Sequence, residues 1–378
     1  MDFSCKIPYF DEEWKIVRAE LYTLHPIPLK RPFADATMPY NDHVGGAVLY
    51  LYDESGAVGW ARSGGGALVE RVLPEVLTGK RERFGDVYER IFWKRRNDGY
   101  SSPTFGALAG VDKAAINLFA VRKGLQTNRY LGAERDWHRV YASAHGCLNT
   151  IEEMLEEVEE EKALGYDFYK MKIGTDFGTK LDWDVERVRI MRDAIGPDAK
   201  LAIDANQLWN ADEAMRFIDR VEKYDIYWYE EPVHSHDLVE LEKLCRMSPV
   251  RVSMGESLRN SCFFKAYADA GCGVLQGNGG WGYFDWLKIY EMTKAYGIEF
   301  SANTSSADYM SALDNENVYM EYLRPNHKPT YELMKRRPED RDGKFFLSHE
   351  PGSTFEPDWD LIREKKLLKS IEVFYPRA

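Results

Sequence analysis

The chain has 378 residues, of which 44% are hydrophobic and 30% charged, and its formal net charge is -12. Such a length fits one large barrel or two domains rather than one ordinary core. The acidic balance argues against a nucleic-acid or anionic-membrane partner, because no basic excess is present to neutralise phosphates. Five scattered cysteines without a CxxC pair imply a reducing compartment and no zinc site. The acidic N-terminal stretch, with no apolar run near the roughly 18 residues of a membrane span, leads to the expectation of a cytoplasmic protein.

The first elements read as antiparallel strands, at Ile16–Leu24, Val44–Tyr52 and Val58–Ala61, with an Asp53-Glu54-Ser55-Gly56 turn between the last two. Helices follow over Leu68–Thr78 and Thr104–Lys123, an order that suggests a separate α+β module. From about Trp137 the pattern alternates. Strands are expected at Val140–Ala144, Asp167–Ile173, Lys200–Asp204, Ile226–Glu230, Arg251–Gly255, Gly273–Gln276, Ile298–Asn303 and Asn317–Glu321. Helices such as Thr150–Leu164, Asp182–Ile195, Ala211–Tyr224 and Phe284–Tyr296 lie between them. This is the signature of a parallel α/β barrel. The acidic run Glu152–Glu161 reads as the solvated face of a helix whose apolar stripe is Ile151, Met154, Leu155, Val158 and Leu164. Residues 1–136 are expected to form the α+β module, 137–345 the barrel, and 346–378 a segment that returns to the first module.

Three strands end in an acid, Asp204, Glu230 and Glu256, at equal intervals of 26 residues. One β/α repeat between each pair would set the carboxylates at one height on consecutive strands, at the end where barrels build their chemistry. Converging carboxylates need a cation, and an oxygen-only ligand set without clustered His or thiolate favours Mg²⁺. One repeat earlier stands Lys170-Met171-Lys172. Residues i and i+2 of a strand share a face, so both ammonium groups are expected in the pocket. Beside a divalent cation each lysine should have a depressed pKa, and a neutral lysine is a competent general base. These parts suit removal of a proton next to a carboxylate, because the resulting enediolate needs positive charge against it.

At these residues the sequence resembles the enolase superfamily and, within it, the mandelate racemase/muconate lactonizing enzyme group. The matching motifs are Tyr169-Lys170-Met171-Lys172-Ile173-Gly174, Ile203-Asp204-Ala205-Asn206, Trp228-Tyr229-Glu230-Glu231-Pro232 and Met254-Gly255-Glu256. The resemblance implies a (β/α)₇β barrel under an α+β capping domain completed by the C-terminal segment. It also implies cap loops near Phe33, Tyr40 and His43 that close on the substrate. By the same resemblance Asp204, Glu230 and Glu256 are the Mg²⁺ ligands, Lys172 is the base and Lys170 the cation beside the substrate carboxylate. Asn206 and Glu321 are then pocket residues, and symmetric homo-oligomers are the family habit.

The sequence departs from the group at strands six and seven, where racemases carry a second base. Here the positions read Gln276-Gly277-Asn278 and Ser301-Ala302-Asn303, and an amide cannot accept a proton. A one-base site points to dehydration of an acid sugar or small hydroxy acid, with Asn206, Asn278 and Asn303 reaching hydroxyls. Trp281 and Tyr283 either join them or fill the barrel mouth. His145 and His236 are candidate proton donors. An epimerase with Asp285 as its second base, or a homologue that binds Mg²⁺ and ligand without reacting, are the alternatives.

Overall fold

The computed structural model describes residues 7–37, 40–313 and 318–376. A 3₁₀ turn (Pro8–Asp11) and a two-residue strand (Glu13–Trp14) come first, and five longer strands follow: β1 (Ile16–Leu24), β2 (Ile27–Ala34), β3 (Tyr40–Val44), β4 (Ala47–Asp53) and β5 (Val58–Arg62). Strands β1, β4 and β5 form an antiparallel sheet, whereas β2 and β3 make a separate hairpin. The strand expected at Val44–Tyr52 is therefore divided by Gly45-Gly46. The hairpin's first strand was hidden by Pro28 and Pro32, which interrupt the pattern of a paired strand.

The helix expected at Leu68–Thr78 starts as a π-helical turn, Leu68–Val72, and goes on as a single α-turn, Leu73–Val76, where Pro74 brings no N–H to the ladder. Two longer helices follow, α1 (Phe84–Arg95), which was not anticipated, and α2 (Pro103–Arg122). Ser102 caps α2 by accepting from Thr104 N, and Pro103 occupies its first turn. Contrary to expectation, α2 is long and apolar enough to cross a membrane, but 89% of its most apolar window is buried inside the protein. It is a core helix packed across β5.

Alternation begins at β6 (Trp137–Ala144) and continues through α3 (Ile151–Ala163), β7 (Phe168–Lys172), α4 (Leu181–Ile195), β8 (Lys200–Asp204) and α5 (Ala211–Val221). Then come β9 (Ile226–Glu230), α6 (Leu238–Met247), β10 (Val252–Met254), α7 (Phe264–Ala270) and β11 (Val274–Gln276). Helix α8 (Tyr283–Tyr296), β12 (Glu299–Asn303) and β13 (Tyr319–Leu323) complete the series. The eight strands are parallel, and β13 closes on β6 with Tyr319 opposite Arg139. The last strand sits two residues later than expected, and Asn317, its expected start, lies outside the described residues. Tyr141, Phe168, Ala202, Trp228 and Val274 pack into one cluster inside the barrel.

Met154 and Val158 of α3 are buried as the stripe required, but the acidic run is not simply solvated. Arg31 of the β2–β3 hairpin pairs with Glu156 and lies 3.5 Å from Glu153 and 3.8 Å from Glu157. Glu161 is buried. The acids of α3 thus dock the cap hairpin and hold the buried His145, and periodicity alone cannot show that.

After β13 come α9 (Arg324–Tyr331) and a hairpin of β14 (Glu339–Arg341) and β15 (Lys344–Phe346), which joins the start of β6 in antiparallel fashion. Helix α10 (Trp359–Glu364) leads to β16 (Leu368–Phe374), which pairs with β1 and so extends the N-terminal sheet.

Candidate active site

Barrel register gathers the site. Lys172, Asp204 and Glu230 are successive cross-strand partners on β7, β8 and β9, so their side chains share one level and one face. Glu256 arrives differently. Glu230 is opposite Ser253, and Glu256 lies two residues beyond the end of β10. The equal spacing therefore does not mean equal height. Gly255 has φ +135°, and a Cβ there would stand 2.4 Å from Gln276 O, so only glycine lets the chain turn back at this point. With that turn, ligand atoms of Asp204, Glu230 and Glu256 all lie within 4.8 Å of one another.

Lys170 is fully buried beneath them, with Nζ 2.6 Å from Glu230 Oε1, 2.8 Å from Glu321 Oε1 and 3.3 Å from Asp204 Oδ2. Lys172 Nζ donates to Asp204 Oδ2 at 2.5 Å. The depression expected of both lysines belongs to the cluster with its divalent cation; the acids by themselves act the other way. Burial alone would lower them, but Glu230 and Glu321 raise Lys170, and Asp204 raises Lys172, above the ordinary range. Burial would likewise raise Glu321, yet Lys170 and Lys172 hold it down to about 2. The same lysines keep Asp204 low.

Two carboxyls go the other way. Burial, then repulsion from Asp204, pushes Glu230 up to about 8 despite its contact with Lys170, which it shares with two other acids. Burial and repulsion from Glu231 push Glu256 up to about 8 as well. A buried cluster short of positive charge, made only of oxygen donors, fits a hard divalent cation such as Mg²⁺.

Supporting contacts orient this cluster, and the sequence did not reveal them. Gln276 Nε2 and Trp228 Nε1 donate to Glu230 Oε2 at 2.8 and 3.1 Å, and Ser143 Oγ donates to Glu321 Oε1 at 2.8 Å. Glu231 is buried and accepts from Ser257 Oγ at 2.7 Å and Gln207 Nε2 at 3.1 Å. The chain leaves several strands in the left-handed region, at His145 (φ 56°), Asn206 (φ 44°), Gln207 (φ 66°) and Glu231 (φ 36°). Such strain collects where geometry is fixed for function.

The three asparagines reach the site in different ways. Asn206 Nδ2 donates to Glu256 Oε1 at 3.3 Å, while its Oδ1 is buried without a partner. Asn278 donates to Glu256 O and accepts from Gly280 N at 2.7 Å, which ties it to its own loop. Asn303 donates to Glu321 Oε2 at 3.2 Å and accepts from Ser305 N at 3.1 Å.

Other candidates are not in the pocket. His145 is fully buried between Glu161 and Glu157, at 3.1 and 3.2 Å, on the α3 side of the barrel. His236 is exposed on the rim beside Phe263. Asp285 accepts from Ser261 N and Oγ, both at 2.8 Å, and so caps a turn rather than facing substrate. Trp281 is buried against Phe264 and donates to Leu258 O at 2.6 Å, and Tyr283 N donates to Asp112, so both build the mouth. Of the cap residues, Phe33 packs against Gly146 after β6 and His43 is exposed beside Asp42, while the Tyr40 side chain is outside the described set.

Residues 153–361 match the family model described as "Enolase C-terminal domain-like". The chain is 24% identical over 285 residues to L-talarate/galactarate dehydratase of Salmonella typhimurium, covering 71% of this chain and 67% of that one. It is 25% identical over 366 residues to D-galactarolactone cycloisomerase of Agrobacterium fabrum, covering 90% and 96%. With L-Ala-D/L-Glu epimerase of Clostridium acetobutylicum it shares 30% identity over 243 residues, covering 61% and 65%. The crystal structure of the Salmonella dehydratase liganded with Mg and L-lyxarohydroxamate has the same fold, with a TM-score of 0.83 at 20% identity over 100% of this chain and 98% of that one.

Proposed function

The chain belongs to the enolase superfamily, in the mandelate racemase/muconate lactonizing enzyme group, and from that premise we propose that it is an Mg²⁺-dependent acid-sugar dehydratase. The observation that carries this reading is the buried cluster in which Lys170 and Lys172 meet Asp204, Glu230 and Glu256. Asn278 and Asn303 stand where a second base would be.

Asp204, Glu230 and Glu256 would hold the metal. Bound there, Mg²⁺ would supply positive charge for the substrate carboxylate and its enediolate, and would compete with Lys172 for Asp204, so that Lys172 could give up its proton. Lys170, fixed by three acids, keeps its charge and sits as a permanent cation beneath the carboxylate. Lys172 takes the proton from C2. The C3 hydroxyl then leaves as water, protonated on the same face by the lysine that took the proton, and the enol product becomes a 2-keto-3-deoxy acid. Asn206, with its free Oδ1, accepts from a substrate hydroxyl.

The relatives named above as acting on galactarate or its lactone support this reading. A second one, epimerisation, is favoured by the similarity to a dipeptide epimerase, but a second base is required, and Asp285 is committed to Ser261. The test is a turnover screen of mono- and diacid sugars with Mg²⁺, reading 2-keto-3-deoxy product. Deuterium entering C2 from solvent without loss of water, across the panel, would replace dehydration by epimerisation.

A further inference from the structure

A guanidinium lies buried behind the base. Arg187 of α4 is fully buried, and its acidic partner Asp184, also fully buried, stands three residues earlier on the same helix, with Oδ1 3.2 Å from Nη1. The remaining contacts of Arg187 are with backbone carbonyls. Nη1 donates to Lys172 O at 3.0 Å, and Nη2 to His145 O at 2.9 Å and Gly146 O at 2.8 Å. Taking an arginine out of water is costly unless its partners are well placed. This position asks for what a planar fork supplies and an ammonium cannot: two nitrogens, fixed relative to each other, that reach two neighbouring strands.

Those carbonyls sit where strand pairing runs out. The ladder between β6 and β7 ends with Ala144 opposite Met171. One residue on, Lys172 N reaches His145 O at 3.3 Å, and His145 itself turns off in the left-handed region (φ 56°). Past that end the Lys172 carbonyl accepts from Arg187, which satisfies a buried backbone group and ties it to the end of β6.

Asp184 grips the residues that follow the base. Its Oδ2 accepts from Gly174 N at 2.9 Å and Thr175 N at 2.8 Å, and its Oδ1 from Thr175 Oγ1 at 2.7 Å. The chain is thus fixed to one helix at Lys172 and again at the second and third residues beyond it. The Lys172 side chain is long, and its Nζ is held by Asp204 on the opposite side, from β8. Once Lys172 gives up that hold in order to take a proton, its place depends on its backbone.

We infer that Arg187, braced by Asp184, is the positioning residue for Lys172: it fixes the backbone from which the amine reaches into the pocket. Arg187 does not touch the pocket and acts only through the residue whose carbonyl it holds. The role builds on the reading of Lys172 as the base, and the test keeps the two apart.

Native protein, Lys172→Ala, Arg187→Met and Arg187→Lys are compared in Mg²⁺ on galactarate, glucarate and gluconate, following 2-keto-3-deoxy product and exchange of the C2 proton with deuterated solvent. Arg187→Met should lower kcat for both by about 10- to 100-fold, the cost of misplacing a reacting group by roughly 1 Å. KM, and Mg²⁺ affinity from calorimetry, should stay within about threefold, because the metal ligands and the pocket lining are unchanged. Arg187→Lys keeps the charge beside Asp184 but cannot span both strands, and should fall between. Parental kcat in Arg187→Met would overturn the inference. So would a loss shared equally by kcat, KM and Mg²⁺ affinity, the mark of a fold that has merely loosened. If Arg187→Met fails to fold, judged by its thermal transition, Arg187→Lys carries the comparison. If the native protein acts on none of these acids, or Lys172→Ala keeps the native rate, the dehydratase reading falls. Crystal structures of the native protein and Arg187→Lys then decide the inference: Lys172 Nζ displaced by about 1 Å or more supports it, and Nζ unmoved on Asp204 overturns it.

Discussion

The fate of His145 offers a sharp check on how the site divides structural from chemical groups. Its imidazole is fully buried, with Glu161 at 3.1 Å and Glu157 at 3.2 Å, and its backbone carbonyl accepts from Arg187 Nη2 at 2.9 Å. Burial alone would lower its pKa, but Glu161 and then Glu157 raise it from 6.5 to about 9. A folded-state pKa above the unfolded value means stability that is fully present below pH 6.5 and lost as pH rises through 9. At about 1.36 kcal/mol per pH unit, the pair contributes on the order of 3 kcal/mol at its maximum. Other groups titrate near this window, among them Glu230, Glu256 and Lys113, each close to 8. They are common to the parent and a His145→Gln variant, so the difference between two pH profiles isolates the imidazole. Urea unfolding between pH 6 and 10 should show the parent losing about 3 kcal/mol more than His145→Gln. Parallel profiles would refute the reasoning. Since His145 faces α3, the variant should also keep its α-proton exchange with solvent; exchange lost at unimpaired stability would return it to the reaction.

Further outcomes follow from the contacts of the pocket. Lys170→Met leaves Glu230, Glu321 and Asp204 without their shared cation, and should cost roughly 3–5 kcal/mol in chelator at neutral pH, with partial recovery in Mg²⁺; parental stability in chelator would contradict this. Gln276→Leu removes the 2.8 Å donor that orients Glu230, and calorimetry should find Mg²⁺ bound about 10- to 100-fold more weakly. Unchanged affinity would show that Gln276 does not orient a ligand. Gly255→Ala puts a Cβ 2.4 Å from Gln276 O at φ +135°, so it should lower stability by at least about 2 kcal/mol and impair Mg²⁺ binding, as Glu256→Ala should. A variant with parental melting and metal affinity would dismiss the turn as the device that delivers Glu256.

Much of this was legible in the sequence because barrel chemistry is periodic. The repeat of 26 residues located three acids on three successive β/α units, and the i, i+2 rule put Lys170 and Lys172 on one face. Height was misread, since interval does not reveal that β10 stops at Met254 and that Gly255 turns the chain back. The protonation of the lysines was not legible there, because it depends on how many acids lie against each Nζ, a three-dimensional count. Helix α1 was within reach, with Phe84, Val87, Tyr88, Ile91 and Phe92 at helical spacing. Gln276 was not, for it acts across strands and stands in no motif. Glu161 shows the converse: it sat inside a charge run that read as solvated, yet its partner arrives from β6.

The most direct test of the account is turnover in Mg²⁺ of the acid sugars that bind, by the native protein and by Lys172→Ala, followed both as 2-keto-3-deoxy product and as exchange of the C2 proton with deuterated solvent. Product and exchange are expected from the native protein, and both should fall by about 10²- to 10⁴-fold in the variant, the range for a general base. Product or exchange by Lys172→Ala within tenfold of the native rate would contradict the account, because another group would then be taking the proton.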